Sequence, residues 1–447
     1  MIGHWWTARL INSPFSMIPS PMPSIQNRTI HRTVLANGLV VLVVENPVAD
    51  IVAARIFVKA GSLWESRQQA GLSHLVASVM TRGSEQLSSL DIAERVESVG
   101  ASLSTDAASD YFLLSLKTVT ADFENILSLA AQLLRSPSFP ETELALERRL
   151  MLQALRSQLE QPYIIALDQL RQAMYLDHPY ALSGLGTEAS VSQLDQIDLH
   201  RYHQTHFRPD NMVISLVGRI TAASGLELAE QFFGDWQAPS TPLPLLQVPP
   251  LQSDPQQRVT AQSTQQSILM LGYLAPSMHH PDYAAIKLLS SYLGNGLSSR
   301  LFVELREKRG LAYEVSAFYP TRLQPSQFVV YMGTAPENTA IALEGLQQEV
   351  ERLFTTQLPP HELQAAKNKL LGQYALGKQT NAQIAQIFGW YETLGIGLEF
   401  DTEFQSAIAA VSAEAAQLAA HRYLQHPYVS LVGPVAAVTP LQQSAVF

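Results

Sequence analysis

The chain of 447 residues contains no cysteine, which excludes disulfides and thiolate metal sites. Charged residues are also scarce, at 15% of the chain, and no run of Lys or Arg stands out. The formal net charge is -10, so nucleic acid is not expected as a partner. No apolar run reaches the length of a membrane-spanning helix.

What the chain does contain is apolar residues, at 47%, enough for two or more globular domains. Residues 1–27 carry several prolines and no continuous apolar segment, which favours an irregular tail over a signal peptide and makes the cytoplasm the expected location. Residues 238–257 are rich in proline and predict a stiff linker. This linker would separate an N-terminal domain, residues 28–237, from a C-terminal domain, residues 258–447.

The two halves show a related pattern of strands and helices. Residues 34–44 predict a hairpin, with Asn37 and Gly38 in a type I′ turn, and residues 51–58 predict a buried strand. Residues 267–273 parallel that strand in the second half, and both halves end in a short apolar strand closed by glycine. The predicted fold class is α+β: two tandem domains of like fold, each a mostly antiparallel sheet with helices packed on one face.

Residues 71–83, GLSHLVASVMTRG, predict an amphipathic helix whose apolar stripe faces the core. The other face carries His74, Ala77 and Ser78. Catalytic zinc needs three protein ligands and an open position, and this face offers one imidazole. A further ligand could come from the helix that begins near Glu147, but the candidate that faces inward there is Ala154, which cannot bind metal. We therefore favour a structural role for His74, with a local hydrogen bond.

A second group of histidines, His200, His203 and His206, is spaced so that the three lie within reach of one another on a helix. A metal site is conceivable here. No acidic residue or fourth ligand completes the set, so we favour a partly exposed helix flank.

Residues 298–319, SSRLFVELREKRGLAYEVSAFY, predict a helix that Ser298 and Ser299 can cap and that Gly310 ends, followed by a strand with Tyr313 on its apolar face. Arg306 in the last turn and Tyr313 in the strand would then converge. A guanidinium beside a phenol supplies donors for a carbonyl or an oxyanion. The alternative, favoured on pattern alone, is that Arg306 pairs with Glu304 or Glu307 while Tyr313 packs in the sheet.

These stretches, together with HPYALSGLGTEASV at residues 178–191, resemble the mitochondrial-processing-peptidase and pitrilysin (inverzincin) family of zinc metallopeptidases, over about residues 33–433. In that family the first helix reads H-x-x-E-H and a later helix adds a glutamate ligand. This chain keeps His74 but has Ala77 for the catalytic glutamate, Ser78 for the second histidine, and Ala154 at or near the last ligand. The resemblance implies a chain that neither binds zinc nor hydrolyses peptides alone.

Two-subunit members of the family divide the work: one chain carries the zinc motif and its partner lends an Arg/Tyr pair, which Arg306 and Tyr313 match. The resemblance thus implies the non-catalytic subunit of a heterodimeric zinc endopeptidase, with zinc in a partner that carries H-x-x-E-H and an unstructured peptide as substrate. The short YLGNGLSSRL loop differs from the long glycine-rich loop of the mitochondrial presequence-binding subunit. The alternatives are a structural core-type subunit, as in respiratory complexes, and a self-paired, homodimeric peptide-binding protein.

Overall fold

The computed structural model describes residues 29–294 and 296–442. Its strands form two sheets, one from each half of the chain. The first sheet has the order β1-β2-β6-β3-β5-β4, with β2 and β6 parallel and the other pairs antiparallel. Its strands are β1 (Ile30–Val34), β2 (Val40–Glu45), β3 (Ile51–Val58), β4 (Ser102–Ala107), β5 (Phe112–Val119) and β6 (Met212–Gly218).

The second sheet repeats this arrangement without a counterpart of β1. Its order is β7-β11-β8-β10-β9, with β7 and β11 parallel and the other pairs antiparallel. The predicted repeat is confirmed, since β8 occupies the place of β3 and β11 that of β6. The strands are β7 (Gln257–Ala261), β8 (Ser267–Ala275), β9 (Glu314–Phe318), β10 (Ser326–Thr334) and β11 (Tyr428–Gly433).

Within each half, helices other than α5 and α12 pack on one face of that half's own sheet, as predicted. The first half contains α1 (Leu72–Met80), α2 (Ser89–Glu97), α3 (Phe123–Arg135), α4 (Glu141–Gln158), α5 (Pro162–Tyr175), α6 (Glu188–Val191), α7 (Gln196–His206) and α8 (Ala222–Phe233). The second contains α9 (Tyr283–Gly294), α10 (Thr339–Thr355), α11 (Pro360–Leu376), α12 (Asn381–Thr393), α13 (Phe400–Ala410), α14 (Ala413–Tyr423) and α15 (Val435–Gln442). Within the described ranges, no helix combines the length and apolarity needed to span a membrane.

The opposite face of each sheet is covered by a helix from the other half. Helix α5 lies on β8 and β11, while α12 lies on β3 and β6. Glycines allow the close approach: a Cβ at Gly389 would lie 2.4 Å from Phe57 Cε2, and one at Gly272 would lie 2.7 Å from Met174 Sδ. Because both faces are covered, β3 and β8 are buried over nearly their whole length, which explains why they are apolar without alternation.

The turn between β1 and β2 differs from the prediction. The Gly38 N–H donates to Leu35 O, and Gly38 has a φ of 91° whereas Asn37 does not have positive φ. A type I′ turn needs positive φ at both central residues, so the predicted turn type was wrong. The Asn37 amide instead donates to Phe233 O at 2.7 Å and Trp236 O at 3.0 Å, which ties the hairpin to the end of α8.

The proline-rich segment between α8 and β7 contains neither helix nor strand before Gln257. Arg208 holds its beginning, because the guanidinium donates to Thr241 O at 2.6 Å and Pro239 O at 3.0 Å. The division of the chain at residues 238–257 stays a prediction. The predicted tail, residues 1–27, lies outside the described residues.

Candidate functional site

Helix α1 begins at a buried carboxylate. Glu65 is 9% exposed and accepts the backbone N–H groups of Gly71 at 2.8 Å and Ser73 at 2.6 Å, which have no partner within the helix. Gly71 has a φ of 95°, and a Cβ there would lie 2.7 Å from Leu185 O. Burial raises the pKa of Glu65, and the hydrogen bonds from Ser73 and Gly71 oppose that rise. These contacts fix the position of the helix start.

The face of α1 that resembles a zinc site carries His74, Ala77 and Ser78. Burial lowers the pKa of the half-buried His74, and the carboxylates of Asp106 and Glu147 oppose this. The Ser78 hydroxyl donates to His74 O at 3.0 Å, and Ala77 is 3% exposed. The His74 imidazole makes no hydrogen bond within the part of the chain that the structure describes, so the predicted local hydrogen bond was wrong.

The donors present at this face do not fit zinc. A catalytic zinc site uses three protein ligands, and α1 supplies one. On α4, Ala154 is exposed and has no side-chain donor atom for a metal, and the Glu147 Oε1 is bound by Arg82 Nη2 at 2.8 Å. Across residues 29–294 and 296–442, no three His, Cys, Asp or Glu side chains come together in a group able to hold a metal ion.

A free sheet edge runs beside α1. Strand β4 ends the first sheet, and its residues are alternately exposed and half-buried. The Thr105 hydroxyl donates to Ala77 O at 2.7 Å, which fastens the edge to α1. Sequence analysis missed both β4 and Glu65. The sequence signal for β4 is the alternate placement of Leu103 and Thr105. The unpaired edge of β4 is a place where an extended peptide can add as a further strand.

The histidines of α7 belong to the core of the first half. His203 is 7% exposed and its Nε2 lies 2.8 Å from Leu134 O, while His206 is 5% exposed and its ring packs against Tyr202. Burial lowers the pKa of His203 and of His206 to about 4. The predicted partly exposed flank was therefore wrong for these two. His200 is half-buried, and the three do not form a metal-binding group in the described chain.

The segment predicted as a helix after Ser298 is helical, with the wider π geometry over Phe302–Lys308. Among the described residues no side chain caps its start, and the Ser299 hydroxyl is buried without a partner there, so the predicted serine caps were wrong. Gly310 ends the helix as predicted, with a φ of 63°. Turns of π type are rare in proteins, and those that do occur are often found at functional sites.

Arg306 lies on this π-helix and is an exposed residue. The guanidinium carbon is 4.9 Å from the centroid of the Phe302 ring. Glu304 is bound instead by Arg300 at 3.1 Å and Lys308 at 2.9 Å. Among the described residues Arg306 has no ion pair, so the predicted alternative, pairing with a neighbouring glutamate, was wrong.

Tyr313 lies one residue ahead of β9 and not within it. Its backbone N–H donates to Gly333 O at 2.9 Å, while its side chain is 60% exposed. The prediction that it shares the buried face of Val315 was wrong. Ala312 is 8% exposed, so two adjacent residues, Leu311 and Ala312, are buried and shift the alternation before the strand begins.

Arg306 and Tyr313 flank one tight corner. The Leu311 N–H donates to Leu305 O at 2.9 Å, which closes the reversal between them. The structure records no hydrogen bond between the two side chains, and nothing in the described ranges bonds to the Tyr313 hydroxyl. The corner therefore presents a planar cation and a phenol to solvent, both able to donate to an oxygen of a bound molecule.

Two family models match this chain. Residues 40–188 match the model described as insulinase (peptidase family M16), and residues 193–370 match the one described as peptidase M16 inactive domain. The second range includes Arg306 and Tyr313.

Four bacterial proteins illustrate the similarity. The uncharacterized zinc protease YmxG of Bacillus subtilis is 25% identical over 358 residues, covering 80% of this chain and 87% of that protein. An uncharacterized zinc protease of Mycobacterium leprae is 24% identical over 416 residues, covering 91% and 92%. A solved peptidase M16 inactive domain from Pseudomonas fluorescens superposes with a TM-score of 0.84 at 25% identity, covering 91% of this chain and 98% of that chain. A protease from Helicobacter pylori has the same fold, with a TM-score of 0.85 at 21% identity and coverage of 91% and 99%.

Proposed function

The chain belongs to the M16 peptidase family, and on that premise we propose that it is the non-catalytic, substrate-binding subunit of a heterodimeric zinc endopeptidase. A homologous partner chain supplies H-x-x-E-H and the zinc. This chain supplies Arg306 and Tyr313 to a chamber formed by four similar domains, two from each subunit. The substrate is an unstructured peptide that the complex processes or degrades.

The observation that carries the proposal is a contrast within one chain. The face of α1 holds one possible ligand, His74, and no carboxylate at the position of the general base, because Ala77 stands there. The corner of the second half retains Arg306 and Tyr313 with exposed side chains. Exposed N–H and O–H donors that have no hydrogen-bond partner in the described part of the chain are suited to a ligand that comes from outside it.

Each side chain has a distinct part in holding the substrate. The Arg306 guanidinium is supported by the Phe302 ring at 4.9 Å, a cation–π contact that orients it without using its N–H donors. Tyr313 is held by its backbone bond to Gly333, so its phenol projects from a fixed base. Together they would donate to backbone carbonyls of the peptide near the scissile bond, a contribution that grows where negative charge develops on oxygen.

Recognition of an extended peptide follows from strand addition. Backbone hydrogen bonds to a sheet edge provide affinity with little demand on sequence. The first half offers such an edge in β4, fixed to α1 through Thr105. A chamber lined by edges of this kind would accept unfolded chains and exclude folded ones.

Reconstitution tests the proposal. The chain is mixed with a homologous subunit that carries H-x-x-E-H, and peptide cleavage is followed for each subunit alone and for the mixture. We expect this chain alone to be inert and the mixture to be active. Arg306→Ala should lower the activity of the mixture, whereas Lys308→Ala, which removes an exposed cation from the same helix, should not.

The same experiment separates the alternatives. A structural core-type subunit would form the complex, seen by size-exclusion chromatography, and leave turnover unchanged by Arg306→Ala and Tyr313→Phe. A self-paired peptide-binding protein would bind peptide as a homodimer and form no mixed complex. Either result would overturn the proposed role.

A further inference from the structure

The two halves of the chain meet where two equivalent hairpins face each other. The β4–β5 loop, residues 108–111, contributes Asp110, and the β9–β10 loop, residues 319–325, contributes Arg322. Arg322 Nη1 lies 3.5 Å from Asp110 Oδ2, and its guanidinium carbon is 5.2 Å from the centroid of the Tyr180 ring. The Tyr180 hydroxyl donates to the other oxygen of Asp110. The edge strands β4 and β9 therefore both run into this junction.

A cavity of about 240 Å³ opens at the junction, which we call the junction cavity. Since one water occupies about 30 Å³, there is room for a small carboxylic acid with some water. The wall begins at the last residue of β4, so the cavity is continuous with the free edge of the first sheet. Its lining includes Ala107, Ser109, Arg171, Tyr175, Arg322 and Gln327.

Two buried polar atoms of the cavity wall have no hydrogen-bond partner in the described chain: Arg171 Nε and Gln327 Oε1. Gln327 is 9% exposed, and Arg171 is mostly buried, with a side chain 20% exposed. Leaving such groups unpaired costs on the order of 1–3 kcal/mol each. Both atoms have almost no accessible surface, so a molecule bound in the cavity would have to use the other N–H donors of the arginines.

The hydrogen-bond donors of the wall suit an anion. Arg171 binds Asp168 through Nη2, and Arg322 contacts Asp110 through Nη1, so most of the five N–H donors of each guanidinium have no partner within the described ranges. The acids lie elsewhere: Asp168 lines a separate cleft, and Asp110, 3% exposed, is engaged by Tyr180. Each arginine is thus paired with one carboxylate, but neither Asp110 nor Asp168 lines the cavity, whereas both arginines do.

We infer that the junction cavity binds a carboxylate group through Arg171 and Arg322. Planar guanidinium groups and a carboxylate match in geometry, and such charge-assisted hydrogen bonds are strong. The carboxylate belongs to one of two kinds of molecule, which the experiment below distinguishes: a free small dicarboxylate, or a peptide with an acidic side chain. The peptide source rests on the proposed function, because a peptide added along β4 would extend past Ala107 into the cavity.

Calorimetric titration of the full chain with succinate tests the site without a partner subunit. We expect saturable binding that Arg171→Gln weakens at least about tenfold, the loss expected for a charged hydrogen bond. Arg219→Gln, which removes an exposed arginine paired with Asp50, should bind as the wild type does. Arg171→Lys keeps the charge but not the planar donors and should give an intermediate affinity. Thermal melts check that each variant is folded.

Absence of succinate binding, or equal binding by folded Arg171→Gln, would overturn the inference. Two extended peptides that differ in one Asp→Asn exchange then identify the source. A wild-type preference for the acidic peptide that Arg171→Gln abolishes supports a peptide carboxylate. Succinate binding without that preference supports the site and overturns the peptide source. Because no partner is present, failure of the proposed heterodimer would leave these titrations unchanged.

Discussion

The face of α1 in the first half and the Arg306–Tyr313 corner in the second half differ in what each has kept. Around α1 the supports are intact: Glu65 caps the helix, and the Ser190 hydroxyl donates to Ala70 O at 2.7 Å. The side chains that a zinc site needs are missing from its face. At the corner, Arg306 and Tyr313, the two residues that match the Arg/Tyr pair, are present and exposed.

This difference teaches that packing and chemistry are retained separately. The supports of α1 belong to the core of the first half, so losing them would cost stability whether or not the face is used. Exposed side chains such as Arg306 and Tyr313 contribute little to folding, so their part in the account is the proposed binding of a substrate peptide. Each of the following experiments tests one side of this contrast.

The largest expected effect is a restored metal site on α1. Ser78→His combined with Ala154→Glu would add two ligands to His74, with the two imidazoles one helical turn apart. We expect zinc binding at least about a thousandfold tighter than that of the wild type, measured by competition with a chelating dye. Adding His74→Ala should abolish it. If the variant takes up no zinc, the spacing of α1 and α4 has not been retained.

Acid should weaken the first half before the second. His178, His203 and His206 are buried in the first half, and burial lowers the pKa of each to about 4. The folded pKa is below the unfolded value of about 6.5, so this stability is present above pH 6.5 and is lost as the pH falls towards 4. At pH 5 each of these histidines would lower the free energy of unfolding by roughly 2 kcal/mol relative to neutral pH. Hydrogen exchange at pH 7 and pH 5 should show β3 and β6 losing more protection than β8 and β10.

The control for acid sensitivity is His203→Gln, which keeps an N–H for Leu134 O but does not titrate. Its loss of stability between pH 7 and pH 5 should be smaller than that of the wild type. The histidines of the described second half are all exposed. Equal loss of protection in the two halves would therefore contradict the assignment of the acid sensitivity to the buried histidines of the first half.

Glu65→Gln tests the support of α1. The amide keeps one acceptor oxygen and leaves one of the N–H groups of Gly71 and Ser73 unpaired, so the free energy of unfolding should fall by about 1–3 kcal/mol. Urea denaturation measures this. Glu188→Gln, which removes a side chain 53% exposed in its pair with Arg156, should cost less than about 0.5 kcal/mol. Similar losses in both variants would show that Glu65 is not the essential cap.

The smallest expected effect is that of Tyr313→Phe. Because the side chain is 60% exposed, removing its hydroxyl should leave stability unchanged. In the reconstituted complex it should lower kcat/KM by about three- to tenfold, the worth of one neutral hydrogen bond. Tyr163→Phe, at a tyrosine on α5, provides a matched loss of a hydroxyl away from the corner. An unchanged kcat/KM would show that the Tyr313 hydroxyl does not take part in binding or turnover of the substrate.

Much of the fold could be predicted because the decisive patterns are local. The strand at residues 51–58 was predicted with its observed bounds, and the repeat was visible in the strands that end at Gly218 and Gly433. Apolar periodicity reports the period of the backbone and which face is buried. The fold class followed from these patterns, whereas the resemblance to the peptidase family rested on sequence motifs such as GLSHLVASVMTRG and SSRLFVELREKRGLAYEV.

The features of the fold and of the candidate site that were not predicted depend on contacts between distant parts of the chain. The burial of His203 comes from Leu134 and its neighbours, and the exposure of Tyr313 comes from a shift in alternation at Ala312. The covering of each sheet by a helix of the other half joins residues such as Phe57 and Gly389. No local pattern encodes such pairs, which is also why the junction cavity was not anticipated.

The most direct test of the central claim compares Arg306→Ala with His74→Ala in the reconstituted complex. The measured quantity is kcat/KM for a peptide at fixed concentrations of both subunits. We predict a fall of about ten- to a hundredfold for Arg306→Ala, the worth of a charged donor to a developing oxyanion, and a change of less than about twofold for His74→Ala. An unchanged kcat/KM for Arg306→Ala, or an equal fall in both variants, would contradict the account.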